Sequence, residues 1–549
     1  MRLLLSACAL ISLSACSQHP TTMQTSLTPP EFNETRFRQD IQSLSSDKFE
    51  GRAPTTQGEV LTLDYLTKAF AAAGLEGANQ GSYLQAVPMV SYTASETQQI
   101  SLGGIVMHHR TDIVLGSRHD NQQVDIKDAP LVFVGYGVNA PEYDWNDYHG
   151  LDMRGKIAVM LVNDPGFALP ESGKFNGKAM TYYGRWSYKF EEASRQGALG
   201  AIIIHDTKPA SYPWSVVENS WTGAQQDLVF DKTTQDGRVT VEGWLTMDKA
   251  KELFNAAGLS LATLSDRAAS SPINVELEKT ANIAFTNKAE YANSYNVVAT
   301  LPGSSASDEH LLFTAHWDHI GVDPNKEGDQ IYNGALDNAS GTAGILEIAR
   351  QFSLSAKNGA PLKRSVTFIA TTGEEQGLLG SRYYAANPLY PLEKTVAVFN
   401  LDSTNIYGRT SDYTIVGKGK SELETYLTTA ASAQQRIAVS ESRPESGGFF
   451  RSDHFSFAKY GVPAVFAGGG NEPADEASKT YRSSMKEKMK GCYHNVCDEY
   501  RADWDLSGAL QDLAVYYQAA QTLGNSDAWP GYYPGTEFHS LRPAKTTTD

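Results

Sequence analysis

From Asn33 to Leu75 the apolar positions recur at helical spacing: Leu63, Leu66 and Phe70 fall on one face, and Gly74 supplies a stop. From about Ile105 to Lys288 the texture changes to short apolar runs. Leu131-Val132-Phe133-Val134, Ile157 to Val162 and Ala201 to Ile204 are separated by Gly, Asp, Asn and Pro, with an amphipathic stretch, Phe190 to Gln196, before the third. That spacing predicts a compact β-rich module with a few helices. Gly135-Tyr136-Gly137 lacks the third glycine of a dinucleotide loop and has no suitable helix after it, so no nucleotide role is read there.

From Tyr295 onward the pattern becomes strand, loop, helix, repeated. Asn296 to Leu301 and Leu311 to Ala315 read as strands, Asn338 to Phe352 as a helix with Ile345, Ile348 and Phe352 on one side. Val366 to Ala370 and Val396 to Phe399 are near-continuous apolar runs, as expected of strands buried on both faces. The alternation predicts an α/β fold, a mostly parallel sheet flanked by helices. The stretch after Leu523, rich in Trp, Tyr, Pro and Thr, predicts an irregular tail.

A chain of 549 residues exceeds what one core usually organises, so at least two domains are expected. Hydrophobic residues make up 41% and charged residues 20%, which excludes a largely disordered chain. The net charge of −17 leaves no basic face to displace phosphate counterions, so nucleic acid is excluded as the expected partner. At the start, Met1-Arg2 and the apolar Leu3 to Leu13 are too short to span a bilayer but suit a signal peptide. Leu13-Ser14-Ala15-Cys16 resembles a bacterial lipobox, which implies export, a lipid on Cys16 as the sole membrane contact, and an outer-membrane address from Ser17. An ordinary secretory signal is the plainer alternative. Gln18 to Phe32 then reads as a tether. Cys492 and Cys497, five positions apart in an oxidising compartment, read either as a local disulfide or as metal ligands.

Candidate chemistry sits where the strands of the second half stop. His316-Trp317-Asp318 follows one strand, Gly373-Glu374-Glu375 the next, and Val396 to Phe399 runs into Asn400-Leu401-Asp402. Between the first two, Gly334 to Gly341 places Asp337 at a helix start; near the end, Tyr493-His494 offers another imidazole. Polar groups at the carboxyl ends of strands in an open α/β sheet are where ligands bind. Imidazole with carboxylate is a donor set for zinc, with cobalt or manganese as substitutes. Five ligands suit two ions if one carboxylate bridges them, leaving one of Glu374 and Glu375 as a base for water. Asp318, two residues past His316, is placed to fix that ring's tautomer.

These stretches, with Ser294 to Gly303, Arg451-Ser452-Asp453-His454 and Gly461-Val462-Pro463-Ala464, resemble metallopeptidase family 28, the co-catalytic dizinc exopeptidases that include secreted aminopeptidases. The resemblance implies two zinc ions per chain with a bridging water, one held by His316, Asp337 and Asp402, the other by Asp337, Glu375 and His494. It implies Glu374 as the base, Tyr493 as support for a developing oxyanion, Asp498 as an orienting group for His494, and peptides as substrates, cleaved at the N-terminus. Dipeptidases, carboxypeptidases, glutaminyl cyclotransferases and receptor-like relatives without activity remain alternatives within the same resemblance. His319 is expected nearby without a ligand role, and His454 at the substrate pocket. The implied organisation is a signal peptide (1–16), a tether (17–32), a peptidase domain in two parts (33–105 and 290–523) around an inserted, β-rich protease-associated domain (106–289), and a tail (524–549).

Overall fold

The computed structural model describes residues 30–229 and 238–542. The expected signal peptide, the Cys16 lipid site and most of the tether lie outside the described residues.

The predicted N-terminal helical stretch is two helices, Glu34–Leu44 and α1 (Gln57–Ala73), joined by a 3-10 turn over Asp47–Arg52. Gly74 ends α1 in the left-handed conformation at φ 90°, as the sequence suggests. The main sheet follows from β1 (Leu84–Ala94), β2 (Val275–Leu301), β3 (Ala306–His316), β4 (Arg364–Thr371), β5 (Thr395–Asn400) and β6 (Ala464–Gly469). β3 lies between β4 and β5, and β6 is next to β5, all four parallel. β2 is antiparallel to β4, and β1 antiparallel to β2. The fold is therefore α/β, with a mostly parallel mixed sheet.

Alternation along these strands sorts side chains into two cores. Leu311, Phe313, Phe368 and Phe399 point into the larger one, against helices α2 (Ser340–Lys357) and α4 (Ser507–Gly524). Leu312, Ile369 and Val398 point to the opposite face, against Tyr384 of the helix α3 (Leu379–Ala386) and Phe457. Phe313 stacks between Phe368 and Phe399, with ring centroids at 5.3 and 5.1 Å. Each such ring removed from water contributes about 1.5–3 kcal/mol, enough to fix the register that aligns the carboxyl ends of β3, β4 and β5.

The intervening region builds a second sheet on separate cores. Ile157–Leu161, Gly200–His205 and Val241–Thr246 are parallel within it. The two sheets share one strand: the first half of β2 pairs with Gln123–Phe133, the second half with β1. Ala224–Leu228, from the middle of the intervening region, also pairs with β1 and extends the main sheet. Among the described residues, the tail after Gly524 is irregular apart from a short 3-10 turn, yet it is anchored: Tyr532 and Phe538 are buried with Tyr182, Phe449 and Phe455.

Candidate metal centre

The strand ends bring the expected side chains together around Asp337. His316 Nε2 lies 3.3 Å from Asp337 Oδ1 and 3.4 Å from Asp402 Oδ1. His494 Nε2 lies 3.4 Å from Asp337 Oδ2 and 3.0 Å from Glu375 Oε2. Asp337 thus stands between two sets of donors, and Glu374 approaches His316 and Asp402 within 4.8 Å. Tyr493 stacks on His494 at 3.8 Å and is 75% exposed.

Local backbone makes this possible. β3 ends at His316, and its Nδ1 meets the main-chain carbonyl of Asp318 at 3.1 Å. A carbonyl only accepts, so Nδ1 carries a ring proton and Nε2 is the atom that faces the carboxylates. The tautomer is therefore set by the backbone of Asp318, not by its carboxylate as expected. That carboxylate instead accepts the N–H groups of Glu374 and Glu375 at 3.2 and 3.4 Å and holds their turn.

The expected helix from Asn338 begins at Ser340; residues 335–339 form a wide turn in which Asp337 and Asn338 leave helical geometry. Gly334 precedes it at φ 54°, where a Cβ would lie 2.3 Å from Asp337 O and 2.5 Å from His319 Cγ, so only glycine fits. Asn338 ties this turn to the Asp402 loop, donating to Leu401 O and accepting from Ser403 N. Asp402 is held in turn by Ser452, whose Oγ donates to Oδ2 at 2.5 Å and accepts from Asn400 at 2.6 Å. Ser452, which the sequence offers only within the Arg451-Ser452-Asp453-His454 stretch, belongs to this chain of hydrogen bonds.

Asp498 and His454 differ from expectation, while His319 lies beside the centre. Asp498 does not touch His494; it accepts the N–H groups of Leu336 and Asp337. His319 is fully buried, with Nδ1 2.6 Å from Glu375 Oε1 and Nε2 without a hydrogen-bond partner among the described residues. His454 is buried between Phe449 and Phe466 rather than lining the cavity. Sequence reasoning missed Arg52, whose guanidinium donates to the carbonyls of Leu44, Trp317, Asn333 and Gly334. Burial lowers it to about 10 against the attraction of Asp498, Asp318, Asp337 and Glu375. No local signal marks it, because three of its four acceptors are more than 260 positions away. Cys492 and Cys497 form a disulfide, which settles their two readings and closes the loop that carries His494.

The donor set fits a pair of zinc ions. Ligands at about 2.0–2.1 Å around a tetrahedral zinc stand about 3.3–3.4 Å from one another, close to the 3.0–3.4 Å separations here. Electrostatics point the same way. Burial pushes Glu374 well above the usual carboxylate range, and the charges of Asp402, Glu375 and Asp453 add to this against the pull of His316. Burial opposes a proton on His494, but Asp337 and Glu375 overcome it and raise the ring to about 10. Such a crowd of carboxylates demands cations; metal ions placed between the same atoms would meet that demand without protons.

A family model described as Peptidase family M28 matches residues 296–518. The chain is 26% identical over 252 residues to leupeptin-inactivating enzyme 1 of Streptomyces exfoliatus, covering 45% of this chain and 52% of that one. It is 26% identical over 202 residues to aminopeptidase YwaD of Bacillus subtilis (strain 168), covering 36% and 40%. The chain thus spans about half or less of the length of these relatives. A solved aminopeptidase from Aneurinibacillus sp. strain AM-1 aligns over 93% of this chain and 97% of that one at 20% identity, with a TM-score of 0.48. All five candidate ligands lie inside the segment that the Peptidase family M28 model matches.

Proposed function

We propose that the chain is a zinc-dependent exopeptidase that releases N-terminal residues from peptides. The observation that carries this reading is the convergence of two imidazoles and three further carboxylates around Asp337, in the wall of a cavity of about 690 Å³. His316, Asp337 and Asp402 would hold one zinc ion; Asp337, Glu375 and His494 would hold the other. When bound, such a pair polarises a scissile carbonyl and makes water acidic enough to deprotonate near neutral pH.

The chain's own groups do the rest. Glu374 lines the cavity beside His316 and Asp402, where its carboxylate accepts a proton from the attacking water and returns it to the leaving amine. Asp318 fixes the Glu374-Glu375 turn, Ser452 fixes Asp402, and Asp498 fixes the backbone of Asp337. Preorganisation of this kind spares reorganisation during the reaction. The Tyr493 hydroxyl, on the cavity wall beside His494, is the group to support the developing oxyanion.

The lipobox-like Leu13-Ser14-Ala15-Cys16 supports export as an envelope lipoprotein, and the Cys492–Cys497 disulfide suits an oxidising compartment. The β-rich unit between the two parts of the peptidase domain is read as a protease-associated domain. Metal analysis combined with aminoacyl reporters and N-acetylated peptides tests the reading. Two zinc ions per chain, with cleavage only of substrates bearing a free amine, are expected. Removal of C-terminal residues from N-acetylated peptides would make the enzyme a carboxypeptidase.

A further inference from the structure

Among the described residues, the cavity that contains Glu374 and Asp402 is also lined by six cationic side chains: Arg118, Arg185, Arg238, Arg382, Arg451 and Lys459. Four of these are committed to carboxylates. Arg118 pairs with Glu242 at 2.8 Å, Lys459 with Glu191 at 2.8 Å and Arg382 with Asp227 at 3.0 Å, while Arg238 also pairs with Asp227. Arg185 and Arg451 are different. Among the described residues, neither side chain makes an ion pair or a hydrogen bond, and the Nε of Arg185 is buried without a partner.

A desolvated guanidinium without a carboxylate is unfavourable, and a second one nearby makes it more so. Burial pulls Arg185 down to about 10, and the charge of Arg451 acts in the same direction. The two residues come from different parts of the chain. Arg185 sits at the start of the helix Trp186–Arg195 in the intervening region, whereas Arg451 follows a 3-10 turn between β5 and β6. Arginine forks bind carboxylates with two parallel hydrogen bonds. A cavity of about 690 Å³ has the size of a small-molecule pocket, with room for a short peptide.

We propose that Arg185 and Arg451 form a subsite for a carboxylate of the substrate, so that the enzyme acts on short peptides whose C-terminal carboxylate reaches this pair. The inference rests on reading the cavity as a peptide site. An acidic side chain is the other source of the same chemistry, and the test separates the two.

Binding of Leu-Gly, Leu-Gly amide and Leu-Asp amide is measured by calorimetry on the zinc-loaded Glu374→Gln protein, which reads affinity without turnover. At least one carboxylate-bearing peptide should bind about 10–100-fold more tightly than Leu-Gly amide. An advantage for Leu-Gly assigns the C-terminus; an advantage for Leu-Asp amide assigns the side chain. Adding Arg185→Gln or, should that variant misfold, Arg451→Gln, should reduce the advantage to below threefold, and Arg185→Lys should restore part of it. Equal binding of all three peptides, or an advantage that survives both glutamine variants, would overturn the subsite. Turnover of Leu-Gly by the wild type is scored separately: Arg-dependent binding without hydrolysis would remove the peptidase reading and leave the subsite standing.

Discussion

The carboxylate of Asp498 accepts the main-chain N–H of Asp337 at 3.0 Å and that of Leu336 at 2.9 Å, so the carboxylate shared by both donor sets is positioned through its backbone. Asp498 lies four residues beyond His494, on the far side of the disulfide. One loop therefore delivers an imidazole and clamps the central ligand.

Replacing Asp498 with alanine leaves one buried and one partly buried N–H group without their acceptor and removes hydrogen bonds to a carboxylate. A loss of about 2–4 kcal/mol in urea denaturation is expected, together with weaker zinc retention on dialysis. Unchanged stability and zinc content would show that the turn around Asp337 holds its shape alone.

Glu374→Gln keeps the size of the side chain but cannot take a proton. kcat should fall by about 10²–10⁴-fold, while zinc content stays at the wild-type value. Hydrolysis near the wild-type rate would transfer the role of base to another group.

Asp227 pairs with Arg118 and Arg238 inside the intervening region and joins that region to the rest of the chain through Arg382. Burial by itself raises this carboxyl, but Arg238, Arg382 and Arg118 overcome it and hold it well below the usual range. Since the folded value lies below the unfolded value of about 3.9, the ionised group contributes stability that is present above about pH 4 and is lost as the pH falls further. Asp227→Asn should cost about 3–5 kcal/mol at pH 7. It should also flatten the acid limb of a stability profile measured from pH 3 to 7.

His494 sits in the left-handed region at φ 52°, an uncommon conformation for a residue with a side chain, inside the loop closed by Cys492 and Cys497. Replacing both cysteines with serine should lower stability by about 2 kcal/mol. In a zinc titration, one of the two equivalents should weaken, since His494 belongs to one donor set. Loss of both equivalents would mean that the disulfide supports the whole centre.

Arg52→Ala would leave four buried carbonyls without donors. Loss of more than about 4 kcal/mol is expected, measured as the shift in urea midpoint, with Arg52→Lys recovering only part because an ammonium has three donors.

The sequence by itself determined the alternation of strand and helix from Tyr295 onward and the segments that carry His316, Asp337, Glu374, Glu375, Asp402 and His494. Both are local: burial on two faces writes continuous apolar runs, and each donor sits at the end of such a run or in a short motif. Tertiary structure alone decided the rest. The carboxylate of Asp318 turned to the N–H groups of Glu374 and Glu375, Asp498 went to Asp337 rather than His494, and the carbonyls capped by Arg52 came from distant loops. Whether an arginine has a carboxylate beside it is also a property of the folded chain. Arg118 and Arg185 look alike in the sequence, and only the packing of one part of the protein on the other leaves the second without a partner among the described residues, because pairing depends on separation in space and not along the chain.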